Sequence, residues 1–118
     1  MKSRGNAMNV DNGAERPDFV ISNGDGATCS PAFIELVAQC LRGFGYRVGI
    51  NWPYKGAELI RAYADPAHGR HSLQIEINRA LYMDEARFAQ HRGFAVLRGH
   101  LDQLLEAVAA YIREALAR

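Results

Sequence analysis

The sequence predicts an α/β domain in which helices flank a mixed or parallel sheet. Two observations carry that prediction. Short runs with a two-residue apolar period alternate along the chain with runs whose apolar residues recur at spacings of three and four, and clusters of Gly, Pro, Asn and Asp separate them. With 118 residues, of which 48% are hydrophobic, the chain builds one core and not two.

Taken in order, residues 1–17 are rich in Gly, Asn and charge and show no apolar period, so they are expected to form an irregular or mobile arm ahead of a single α/β domain over 18–118. Asp18-Phe-Val-Ile-Ser22 is β-branched and closes on Asn-Gly-Asp-Gly, as a buried strand entering a polar loop does. Ser30 and Pro31 supply an N-cap and a first helical residue, and Phe33, Leu36, Val37, Cys40, Leu41 and Phe44 then recur on one helix face until Gly43 and Gly45 stop it. Tyr46 to Asn51 predicts a second strand. Pro53 turns the chain out of it, and a short helix or loop comes next around Ala57 to Tyr63, before the Pro66 and Gly69 turns.

The third strand, 72–78, reads SLQIEIN: Leu73, Ile75 and Ile77 alternate with Gln74, Glu76 and Asn78. From Ala80 to His91 a helical turn or two is expected. Leu97, Leu101, Leu104, Leu105, Val108, Tyr111, Ile112 and Ala115 make a continuous helical stripe, which predicts a long amphipathic helix over about 95–116. Three strands make a thin sheet whose open edges invite pairing with another chain, so a homo-oligomer joined through an exposed edge is one expectation.

The charge balance excludes several partners. Fourteen Lys+Arg against 13 Asp+Glu give a net charge of +1 with no block of like sign, so neither nucleic acid nor an anionic membrane is an expected partner. No apolar run approaches the ~20 residues that span a bilayer, and the first residues lack the apolar core of a signal peptide, which points to a cytoplasmic protein. Cys29 and Cys40 are expected as reduced thiols, Cys40 in the core.

Glu76 stands where the strand's polar face needs an explanation. It is either part of a solvent-facing polar row, with a weak ion pair to Arg79, or a general base projecting into a cleft. His68 and His71, three apart, are poor metal ligands because Pro66 and Gly69 break any helix there. His91 and His100 are expected at the surface. Asn23-Gly-Asp-Gly26 before a capped helix is more simply a strand-to-helix turn than an anion site. Asn51, Tyr54, Lys55 and Gly56 lie just past a strand's C-terminal end, where open α/β sheets bind ligands; Lys55 would meet a carboxylate and Asn51 a carbonyl or carboxylate, or the stretch is an ordinary exposed turn.

Taken together, GYRVGINWPYKGAELIRAYADPAHGRHSLQIEINRALYMDE, with RPDFVISNGDGATCSPAF upstream, resembles the C-terminal half of the N-formylglutamate amidohydrolase (N-formylglutamate deformylase) family. That resemblance implies a zinc-dependent amidohydrolase with part of a zinc-carboxypeptidase-like layered fold, converting N-formyl-L-glutamate and water to formate and L-glutamate in histidine degradation. On the same ground Glu76 would be the general base, and Arg79, Asn51, Lys55 and Tyr54 would hold the small acidic substrate. The resemblance also places the zinc ligands in a His-containing motif and an Asp-x-His-Ser segment, neither of which this chain contains. MKSRGNAMNVDNG looks like the stretch directly after Asp-x-His-Ser, so the chain is expected to begin just past the last ligand and to be inactive alone. The competing expectation is a non-catalytic remnant, a small acidic-ligand-binding or oligomerisation module.

Overall fold

The computed structural model describes residues 1–6 and 8–117. Strand β1 (Phe19–Ser22) is buried along its whole length and forms the middle of a three-stranded sheet, between β2 (Val48–Ile50) and β3 (Gln74–Ile77). β1 and β2 run parallel, with Val20 opposite Gly49; β1 and β3 run antiparallel, with Val20 opposite Glu76. The sheet is therefore mixed, and both outer strands present an edge.

Helix α1 (Pro31–Gly43) makes the crossover that parallel pairing of β1 and β2 demands. Ser30 caps it, its hydroxyl accepting from the Phe33 N–H at 3.3 Å, and Gly45 leaves it at φ 97°, a conformation open to glycine. Next comes the single-turn helix α2 (Glu58–Ala62). The long helix α3 (Gly93–Leu116) closes the chain. Phe19 and Ile21, on one face of β1, pack with Ile34, Val37, Ala38 and Leu41 of α1 and Leu97 and Leu104 of α3. Burying each large side chain contributes ~1.5–3 kcal/mol, so this layer anchors the sheet. Val20, Ser22 and Gly49 face the other way, towards Pro17, the Trp52 turn and Ile60.

Four details depart from the sequence reading. A single 3-10 turn, Arg79–Leu81, opens the stretch where helical turns were expected, but residues 83–90 form a small hairpin of β4 (Met83–Asp84) and β5 (Ala89–Gln90) in place of any further turn. Asp84 Oδ1 accepts from the N–H groups of Ala86 and Arg87, and Phe88 takes φ 52°, so local turn chemistry overrides the helix. Ile75 is 37% exposed despite its place in the alternation, because β3 is an edge strand. Cys29 is the fully buried cysteine and Cys40 only partly so; both are free thiols, and burial pushes each thiol's pKa up. His100 is half-buried, stacked on Phe44 and hydrogen-bonded to the Tyr46 hydroxyl.

The arm carries no helix or multi-residue strand among its described residues, yet it is packed. Bridges join Arg4 to Glu15 and Gly5 to Asn12, and the buried Arg16 guanidinium clamps Asp11 through Nε at 2.8 Å and Nη2 at 3.2 Å. Among the described residues no helix is long and apolar enough to cross a membrane.

Candidate functional site

The two-residue period of β3 puts Gln74 and Glu76 on one side of the sheet, the side turned away from the helical layer. Glu76 is half-buried there, and Gln74 Nε2 donates to its Oε1 at 2.9 Å. Gln74 Oε1 in turn accepts the Ala57 N–H at 3.1 Å. A single amide thus ties the carboxylate of Glu76 to the loop that leaves β2.

Charges gather around that carboxylate. The ammonium of Met1 donates to the Ile77 carbonyl, and its burial lowers its pKa, opposed by Glu76 and Glu85 and reinforced by Arg79 and Arg16. Arg79 leans on Glu85, with Nη2 to Oε2 at 3.6 Å, while its Nε is buried and has no hydrogen-bond partner among the described residues. Leaving a buried donor unmatched costs about 1–3 kcal/mol, so an acceptor placed beside it would gain that much. The Glu76–Arg79 ion pair weighed from the sequence is not formed.

Tyr54 borders the same side. Its ring lies under the Arg16 guanidinium, 5.0 Å from centroid to Cζ, and its carbonyl accepts the Ser22 hydroxyl at 2.8 Å. Arg16 is held protonated chiefly by its hydrogen bond to Asp11, with Tyr54 and Glu76 adding to the effect. Asn51 sits at the C-terminal end of the parallel strands in the left-handed region, φ 56°, which asparagine tolerates. Its Nδ2 donates to Asn23 Oδ1 at 2.8 Å and its Oδ1 accepts the Asn23 N–H at 3.0 Å, so it clips the loop after β1 to the loop after β2. Lys55 pairs with Asp25 at 2.9 Å, both side chains more than half exposed.

The residues singled out from the sequence therefore fall into two groups. Glu76, Arg79 and Tyr54 gather on the open side of the sheet; Asn51 and Lys55 stand with Asn23 and Asp25 at the strand ends. Gln74 and Arg16 join the first group. Gln74 was visible as an alternate residue of the same strand, but Arg16 carried no signal because its role depends on the arm folding back.

Among the described residues no group of three His, Cys, Asp or Glu side chains could hold a metal ion. His68 pairs with Asp65, and His71 accepts the Ser30 N–H and stacks on Phe33. A hollow of about 370 Å³ lies in the helical layer, lined by Phe33, His71, Tyr111, Ile112 and Leu116. It touches neither the Glu76, Gln74, Arg79, Tyr54 and Arg16 group nor Asn51 and Lys55, and its lining is mainly apolar, so the charged side of β3 is the better candidate for chemistry.

Comparison with known proteins agrees with the resemblance in the sequence. The family model described as N-formylglutamate amidohydrolase matches residues 1–83. The chain is 36% identical over 104 residues to the N-formylglutamate deformylase of Pseudomonas aeruginosa and 34% identical over 105 residues to that of Pseudomonas putida. In each case the match takes in 86% of this chain and 39% of the relative, so the chain spans well under half the length of both. The crystal structure of N-formylglutamate amidohydrolase from Ralstonia eutropha superposes with a TM-score of 0.82 at 44% identity, over 86% of this chain and 36% of that one.

Proposed function

The chain belongs to the N-formylglutamate amidohydrolase family, and on that premise we propose that it supplies the general base and the carboxylate-binding side of a site that hydrolyses N-formyl-L-glutamate to formate and L-glutamate. The observation that carries the reading is the half-buried Glu76 held by Gln74, together with an Arg79 whose Nε has no acceptor among the described residues.

In this reading Glu76 takes a proton from water as the water oxygen bonds to the formyl carbon. The same proton passes to the departing nitrogen as the C–N bond breaks, which leaves formate and the free amine of glutamate. Such base assistance is worth ~10²–10⁴-fold in rate. Arg79 holds a substrate carboxylate, the bidentate geometry of guanidinium suiting that task. Tyr54 walls the same side. Lys55 and Asn51 receive the far carboxylate at the strand ends, which requires Lys55 to exchange Asp25 for substrate. An exposed pair of that kind is worth only ~0–1 kcal/mol, so the exchange is cheap.

Zinc, which the resemblance implies, finds no three-ligand set among the described residues, and no step above is routed through it. The 118-residue chain supplied with zinc is accordingly expected to release formate no faster than background. The same observation favours a second reading, a non-catalytic module that binds an acidic amino-acid derivative. Calorimetric titration with N-formyl-L-glutamate tests what the two readings share. Binding weakened at least ~10-fold, about 1.4 kcal/mol, by Arg79→Ala is expected; equal affinity for an uncharged N-formyl amino-acid amide would sink both.

A further inference from the structure

Gln74 stands opposite Ser22 in the β1–β3 ladder, and both side chains reach the loop that leaves β2. Ser22 is buried, and its hydroxyl donates to the Tyr54 carbonyl at 2.8 Å. The Gly24 N–H donates to the Lys55 carbonyl at 2.7 Å. Gly56 then turns the chain at φ 107°, a conformation open to glycine. The Ala57 N–H that follows is therefore a fixed point: it belongs to backbone that is pinned twice to β1 and the loop after it.

That N–H settles which way round the Gln74 amide lies. A backbone N–H only donates, so the atom facing it at 3.1 Å is the amide oxygen, and the NH2 end is turned to Glu76 Oε1 at 2.9 Å. An acceptor at one end and a donor at the other is what glutamine supplies and neither glutamate nor methionine does. One oxygen of Glu76 is thereby occupied. The other, Oε2, receives no hydrogen bond among the described residues.

We infer that Gln74 is a positioning residue for the hydrolysis, one that holds Glu76 by Oε1 so that Oε2 takes the proton from water, with the Ala57 backbone as the reference point. This rests on the base reading given above. Groups that react must be held within ~0.5 Å of the productive geometry, and a misplacement of about 1 Å costs ~10²-fold in rate. Without the amide the carboxylate turns freely about its own side-chain bonds. The groups assigned to the substrate carboxylates, Arg79, Lys55 and Asn51, make no hydrogen bond to Gln74, so the loss falls on kcat and not on KM.

Two substitutions separate positioning from support of the loop. Gln74→Glu keeps an oxygen for the Ala57 N–H but sets a second carboxylate against Glu76, whereas Gln74→Met keeps neither bond. In this chain alone, hydrogen exchange at Ala57 is expected to stay slow in Gln74→Glu and to speed up at least ~10-fold in Gln74→Met. Formate release is then measured at pH 8 with the chain co-expressed with the portion of the Pseudomonas aeruginosa relative outside the match. Both variants are expected to lose ~10²-fold in kcat with KM held within about threefold, and neither is expected to lower kcat further once Glu76 is replaced by Gln. A kcat that follows Ala57 exchange, low in Gln74→Met and near full in Gln74→Glu, would overturn the inference and leave Gln74 as a support of the loop. Losses that multiply with that of Glu76→Gln would overturn it too. Turnover that is absent from the pair, or unchanged by Glu76→Gln alone, would strike the base reading itself, and this inference with it.

Discussion

Gln74 and Glu76 occupy alternate positions of one strand, and the amide of the first donates to the carboxylate of the second at 2.9 Å while accepting from Ala57. Strand periodicity alone brings them to one side of the sheet; the hydrogen bonds then couple the carboxylate to the loop that carries Tyr54 and Lys55. Gln74→Leu keeps the shape and removes both bonds. It is expected to cost about 1–2 kcal/mol in urea denaturation and to speed exchange of the Ala57 amide at least ~10-fold, with β1 amides unaffected.

The Asp11–Arg16 pair closes the arm on itself from a position where both side chains are almost fully buried. Removing one partner strands a buried charge, so Asp11→Ala is expected to cost about 3–5 kcal/mol. Adding Arg16→Leu to that variant is expected to recover part of the loss. A double-mutant cycle by chemical denaturation checks this, and additive effects would show that the pair is not coupled.

Acid is expected to loosen the same arm. The hydrogen bond from Arg16 holds the Asp11 carboxyl below its ordinary value, and hydrogen bonding from Ser3, whose backbone N–H donates to Oε2 at 3.1 Å, does the same for Glu85. Both folded-state values are depressed, so the unfolded chain binds more protons in acid. Their stabilisation is complete above the unfolded carboxyl values of about 4 and is lost as pH falls through the folded ones. Denaturation at pH 7 and pH 3 measures the loss, and Asp11→Ala is expected to flatten it.

At the strand ends, Asn51 does two things that few residues combine. It accepts φ 56° and it spans two loops with its amide. Asn51→Gly keeps the backbone conformation and loses the clip, whereas Asn51→Ala loses both. The expected order of thermal stability is therefore Asn51, then Gly, then Ala, with the alanine variant down by about 2–3 kcal/mol.

How much of this could be seen in the sequence depends on the range of each interaction. The β-branched run of β1 and the Ser30-Pro31 start of α1 are local signals, and both elements stand where that chemistry puts them. Glu76 was conspicuous because a period of two needs only its neighbours. The Asn23–Asn51 clip was hidden, since it exists only once β1 and β2 pair side by side. Arg16 lay in a stretch without period, and its burial depends on contacts with Asp11, Asn9 and Tyr54 that form when the arm folds back. The hairpin at 83–90 was missed for the opposite reason: its strands are too short for any period to show.

The central claim is that Glu76 moves the proton in hydrolysis of a formyl amide. The most direct measurement is formate release from N-formyl-L-glutamate by this chain co-expressed with the portion of the Pseudomonas aeruginosa relative outside the match, with Glu76 intact and as Glu76→Gln. The account predicts turnover by the pair that falls ~10²–10⁴-fold in the glutamine variant while substrate affinity is kept. Equal turnover with glutamate or glutamine at position 76 would contradict it.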